Sequence, residues 1–201
     1  MSEADDAAAA ILAGLPAIIP TDTVYGLVTT PYREEPVRRL YALKSRVAAQ
    51  PTALIAADLD TLFECVPELR GATAGAIASA VLPGPYTLVL ANRARRFPWL
   101  AGDNPDAIGV RVPAVSGVAK TVLDQVGAVV GTSANLAGGP EARRLADVPE
   151  ALRAECAVVD GGELPGIPST VIDFTGPEPV VLRRGAGDVD HAIAQALGAA
   201  G

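Results

Sequence analysis

Two kinds of apolar pattern alternate along this chain, and that alternation is what most limits its fold. Short apolar runs bounded by Gly, Pro or charge read as strands over 17–20, 53–56, 87–91, 108–112, 128–131, 157–160, 170–174 and 180–182. Between them, apolar residues recur at helical spacing over 4–14, 34–44, 68–81, 115–126, 145–154 and 188–198. Strands and helices interleave without a repeat or a linker. The pattern predicts one α/β domain over residues 1–201, a twisted mixed sheet flanked by helices.

Composition agrees and excludes several functions. Half of the 201 residues are hydrophobic and only 19% are charged, enough apolar surface to build a core and too little charge for a disordered chain. The net charge of −7 argues against a dedicated duplex-binding domain, so polyanions would have to be met by a local patch. The cations do cluster, as Arg38, Arg39, Lys44 and Arg46 and again as Arg93, Arg95 and Arg96, although such runs also arise as solvated faces. The N-terminus is acidic where a secretory leader would be basic, and the apolar run after it is broken by Gly14 and Pro16, short of the ~20 residues a membrane span needs. Cys65 and Cys156 lie far apart with no CxxC, as expected of free thiols in a reducing cytosol. The expectation is a cytoplasmic protein with no membrane partner.

A single histidine, His191, falls in a helical pattern near the C-terminus and reads as a surface residue. Ser-His-Asp catalysis and HExxH zinc chemistry therefore have no material here. No GxGxxG is present, and Gly117-Val118-Ala119-Lys120-Thr121 has Ala119 where a phosphate-binding loop needs glycine.

The informative polar residues sit where strands end, the place an α/β sheet opens its ligand crevice. Thr21-Asp22-Thr23, after the first strand, reads either as a turn or as a pocket wall. Lys44-x-Arg46 follows a helix; with fourteen arginines against two lysines in the chain, a retained lysine suggests a compact point charge is needed there. A Lys and an Arg two residues apart suit a polyphosphate, and equally a helix C-terminus. Pro83-Gly84-Pro85-Tyr86-Thr87 is a stiff turn entering a strand. Arg111 stands inside an apolar strand, so it must meet either a carboxylate of the protein or one from a ligand. Ser133-Ala134-Asn135 and the glycines after it would let backbone N–H groups approach an anion, or simply form an Asx turn. Ser169-Thr170 and Arg183-Arg184 flank two further short strands.

Taken in order, Pro20-Thr21-Asp22-Thr23-Val24-Tyr25-Gly26-Leu27, Lys44-x-Arg46, Pro83-Gly84-Pro85-x-Thr87, Val110-Arg111-x-Pro113, Ser133-Ala134-Asn135, Ser169-Thr170-Val171 and Leu182-Arg183 resemble the YrdC-type threonylcarbamoyl-AMP synthase family, in its single-domain form. The resemblance covers roughly residues 11–187. It implies a YrdC/RibB-like sheet with a large concave, positively charged cleft. It also implies the reaction of L-threonine, bicarbonate and ATP to threonylcarbamoyl-AMP and pyrophosphate, on the way to threonylcarbamoyladenosine in tRNA.

By the same resemblance, Lys44 and Arg46 would be catalytic and, with Arg183, would grip the ATP phosphates. Ser133 and Asn135 would contact the nucleotide, and Thr23, Arg111 and Ser169 would form the threonine site. Mg²⁺ is expected on the phosphates, with Asp22 a candidate ligand. The product would pass to tRNA threonylcarbamoyl-transferase proteins, with a weak contact to tRNA. The chain departs from the family pattern at Val47, Ala56 and Ala107. Two alternatives stay open: an RNA-binding module without catalysis, since the family's cleft is shaped and charged for polyanions, and, because of those departures, a related enzyme that makes a carbamoyl adenylate from another amine or from carbamoyl phosphate.

Overall fold

The computed structural model describes residues 2–44 and 50–200. Helix α1 (Glu3–Ala13) opens on a reciprocal cap, in which the Ser2 hydroxyl accepts from the Asp5 N–H and the Asp5 carboxylate accepts from the Ser2 N–H. It stops at Gly14, whose φ of 86° is left-handed. There follow β1 (Ala17–Ile19), β2 (Gly26–Thr29), α2 (Glu34–Leu43), β3 (Ala53–Ala56), α3 (Leu59–Cys65), α4 (Thr73–Val81), β4 (Tyr86–Ala91) and β5 (Ala107–Arg111). The chain continues through α5 (Gly117–Val126), β6 (Ala128–Ser133), α6 (Glu150–Arg153), β7 (Ala157–Val158), β8 (Thr170–Asp173), β9 (Val180–Arg183) and α7 (Val189–Ala200).

The expected mixed sheet flanked by helices is present. Two elements escape the sequence pattern: β2, which begins at a glycine after a polar turn, and α3. Two expected helices are divided. The stretch 68–81 is a 3₁₀ turn, Pro67–Leu69, followed by α4, because Gly71 at φ 69° interrupts the helical path. The stretch 145–154 is a 3₁₀ turn, Leu145–Asp147, and the single turn of α6, separated by Pro149.

The strands form one sheet in the order β7-β1-β2-β6-β3-β5-β4-β8-β9, parallel at β7–β1, β3–β5 and β4–β8 and antiparallel elsewhere. Side chains alternate between the two faces of a strand, and register partners share a face. On one face Ile18, Leu27, Leu54, Val130, Val110 and Leu88 pack in a single core with residues of α2, α3, α4 and α7. On the other, Ile19, Val28, Ile55 and Val129 pack with Ile11 of α1 and with Val122 and Leu123 of α5. That second core takes nothing from β4, β5 or β8. There the face carries Thr87, Val89, Gly109, Arg111 and Val171, matched in register to one another and to Ala53 and Ile55. The sheet is thus covered on one side from β1 to β8 and only in part on the other.

Candidate active site

The uncovered part of that second face is the floor of a cavity of about 380 Å³. Ala53, Val89, Gly109 and Val171 supply apolar floor, and Thr21, Arg111, Ser133, Ser169 and Arg183 supply polar wall. At Gly131, also on the floor, a Cβ would lie 2.8 Å from the Ile55 Cδ1 and 3.0 Å from the Val28 Cγ1, so any larger residue must displace those side chains.

Arg111 meets a carboxylate of the protein itself. Its Nη2 donates to the carboxylate of Asp22 and, at 2.8 Å, to the Thr23 hydroxyl. The Arg111 and Asp22 side chains are each only 9% exposed. Its Nε is buried and has no hydrogen-bond partner. Behind Arg111 the hydroxyl protons run one way. The Thr21 hydroxyl donates to the Val24 carbonyl at 2.7 Å, so its 3.0 Å contact with Thr23 must take the Thr23 proton. Thr23 is fully buried and its proton is spent inside the protein, so it braces Arg111.

The second oxygen of Asp22 accepts from the Ala114 N–H at 3.0 Å. Among the described residues, no group of three or more His, Cys, Asp or Glu could hold a metal.

Ser133 and Asn135 leave the end of β6 as a small polar knot. The Ser133 hydroxyl donates to Asn135 Oδ1 at 2.7 Å, and Asn135 Nδ2 donates to the Gly139 carbonyl at 2.8 Å, closing the turn. Lys44, at the C-terminus of α2 and buried, drives its Nζ into this knot. It donates to the Ser133 carbonyl at 2.7 Å, to Asn135 Oδ1 at 2.6 Å and to the Asn135 carbonyl. Lys44 and Asn135 therefore stand one bond behind the cavity wall that Ser133 forms. Arg46 lies outside the described residues.

Arg183, on β9, grips Ser169 twice, with Nε on the Ser169 carbonyl and Nη2 on its hydroxyl, both at 3.0 Å. Partial burial pushes the Arg183 guanidinium below its ordinary value. The neighbouring charge of Arg111 acts the same way, and that of Glu141 opposes both. Thr87, quoted in a sequence motif without a role, closes the group, with its hydroxyl 2.9 Å from that of Ser169.

Of the residues singled out in the sequence, Arg111, Ser133, Ser169 and Arg183 line one cavity, and Thr23, Lys44 and Asn135 support it. The pairing of Asp22 with Arg111 was missed because the two are 89 positions apart, and a buried arginine was the only signal for it. Away from the cavity, both cysteines are free thiols; burial raises both, Cys156 to about 12. His191 is exposed. No helix among the described residues is long and apolar enough to cross a membrane.

Fold and cavity together define an α/β protein with a crevice, apolar on its floor and polar on its wall, laid open on a sheet face. A family model for Sua5, YciO and YrdC, described as telomere recombination, matches residues 9–185, and the chain belongs to that family. A threonylcarbamoyl-AMP synthase of Pyrococcus abyssi is 35% identical over 83% of this chain and 49% of its own length. One of Xanthomonas campestris pv. campestris is 36% identical over 81% of this chain and 87% of its own. The crystal structure of P. abyssi Sua5 complexed with L-threonine superposes with a TM-score of 0.84 at 31% identity, over 97% of this chain and 58% of that one. The chain thus spans about half the length of the Pyrococcus relative and most of the Xanthomonas one.

Proposed function

We propose that this protein, acting as one domain in the cytoplasm, is a nucleotidyltransferase that makes L-threonylcarbamoyladenylate and pyrophosphate from L-threonine, bicarbonate and ATP. The observation that carries this reading is the meeting of Arg111, with its unpartnered Nε, and the Ser169–Arg183 pair on the wall of one cavity that also receives Ser133. An amino-acid carboxylate and a triphosphate both need such donors. The names of the two relatives and the threonine held by P. abyssi Sua5 point the same way.

The chemistry needs no protein nucleophile. The threonine amine adds to bicarbonate with loss of water and gives a carbamate. A carbamate oxygen then attacks the α-phosphorus of ATP, and the bond to pyrophosphate breaks. What the protein supplies is position and positive charge, the usual means of catalysis where charge builds on phosphate oxygens. In this reading Arg111, braced by Thr23, takes the threonine carboxylate, and Ser169 contacts the same amino acid. Arg183 and Arg46 face the phosphates, and Lys44 acts on them from one bond behind the wall, its charge fixing the loop whose Ser133 and Asn135 meet the nucleotide. Mg²⁺ would arrive with ATP, held chiefly by phosphate oxygens and water, with Asp22 a carboxylate at hand. The product would pass to proteins that transfer the threonylcarbamoyl group to tRNA.

The test is pyrophosphate release with each substrate left out in turn. Release that requires threonine, bicarbonate and ATP together supports the reading. ATP binding without release overturns it, and equal release with another amine shows a different substrate.

A further inference from the structure

The hydroxyls of Thr87 and Ser169 lie 2.9 Å apart on the cavity wall, and their protons can be counted. Two hydroxyls bring two protons, and one is spent in the contact between them. The Ser169 oxygen also accepts from Arg183 Nη2 at 3.0 Å. If Thr87 donates to Ser169, the Ser169 oxygen accepts twice and is full; its own proton is then free, and the Thr87 oxygen keeps its lone pairs. If Ser169 donates to Thr87, the Thr87 proton is free and a lone pair remains on each oxygen. In both cases the pair offers the cavity one donor beside at least one acceptor. Arg183 holds Ser169 by carbonyl and hydroxyl at once, and β4 pairs with β8 so that Thr87 faces Val171, which fixes the two oxygens relative to each other.

A carboxylate can only accept and an ammonium can only donate, so either would leave one member of this pair opposed. A hydroxyl does both. Arg111, with its free Nε, already provides for a carboxylate on the same wall. We propose that Thr87 is a specificity residue which, together with Ser169, recognises the side-chain hydroxyl of the amino-acid substrate.

This rests on the proposed synthase reading and extends it to a residue with no role there. A site built to bond a hydroxyl discriminates against the analogue that lacks it, because its own polar groups are then buried unpaired. Valine replaces the threonine hydroxyl with a methyl at nearly the same volume.

The experiment is calorimetric binding of L-threonine and L-valine, in buffer freed of bicarbonate because bicarbonate also donates and accepts. Wild-type protein, Thr87→Val and Thr87→Ser are compared, with ATP and 2′-deoxy-ATP as a second arm. The expected result is a preference for threonine that falls roughly ten- to hundredfold in Thr87→Val and is retained in Thr87→Ser, with the ATP to 2′-deoxy-ATP ratio equal in all three. An unchanged threonine to valine ratio in Thr87→Val that still binds ATP overturns the inference and leaves the synthase reading standing. So does a change in the nucleotide arm alone, which moves the contact to the ribose. A wild-type protein that binds neither amino acid overturns both.

Discussion

Arg111 and Asp22, 89 positions apart, form an ion pair whose two side chains are each 9% exposed. The pair locks β5 to the turn after β1, and it consumes only one edge of the guanidinium. Removing the carboxylate leaves a buried charge facing neutral oxygens. Asp22→Asn should therefore lose about 3 kcal/mol in urea unfolding, as buried pairs do when one partner is deleted. The double variant Asp22→Leu/Arg111→Met should regain much of that stability while losing amino-acid binding. A double variant as unstable as the single one would show that the pair is structural cement and nothing more.

Lys44 presents a different balance. From the sequence its removal should harm turnover far more than folding, as is usual for a charge at a cleft. In the structure its Nζ is buried and ties Ser133 and Asn135 to the end of α2. Lys44→Met should cost about 2 kcal/mol and also weaken ATP binding, since it releases the loop that would hold the nucleotide. Hydrogen exchange over residues 133–139 should rise in the variant. Unaltered exchange there, with ATP binding lost, would return Lys44 to a purely ligand-facing role.

What the sequence conveyed and what it hid divide along physical lines. Strands such as β3 and β8 were legible because they are apolar and end at turn residues. β2 was not, because four residues opening on Gly26 after Thr21-Asp22-Thr23 acquire strand character only from their neighbours β1 and β6. α3 did leave a signal: Asp58 caps its N-terminus by accepting from the Thr61 N–H, and Leu59, Leu62 and Phe63 follow at helical spacing. In the site, the residue types and their order were visible. The hydrogen-bond directions were not, because the proton of Thr23 is assigned only once Thr21 is seen to donate to the Val24 carbonyl.

Alkaline pH should destabilise the fold. Burial holds the Cys156 thiol near 12 against an ordinary value of 9.0, and it raises Cys65 and, from 10.0, Tyr25, Tyr32 and Tyr86. A group with a raised folded value binds its proton more tightly when native. Its contribution is complete below the unfolded value and is lost as pH climbs toward the folded one. The unfolding midpoint should be flat to about pH 8 and fall between pH 9 and 12. Cys156→Ala should make that fall shallower, and an identical slope would exclude the thiol as a contributor.

Two glycines on the cavity floor separate space for folding from space for a ligand. At Gly131 an added Cβ meets the Ile55 Cδ1 at 2.8 Å and the Val28 Cγ1 at 3.0 Å, contacts that force the core under α1 and α5 to shift. At Gly109 the nearest atoms are the Ala53 Cα and the Thr52 carbonyl oxygen at 3.6 Å, ordinary contacts. Gly131→Ala should therefore lose about 1–3 kcal/mol through overpacking. Gly109→Ala should keep its stability or gain up to about 1 kcal/mol, because the unfolded chain loses freedom. Gly109 lies on the floor between Ala53 and Val89, so its methyl should take volume from any ligand resting there. Gly109→Ala should then bind ATP or threonine several-fold more weakly while melting no lower than the wild type. If it binds both as well as the wild type does, the occupant does not touch the β5 floor, and the ligand must sit nearer Ser133 and Arg183.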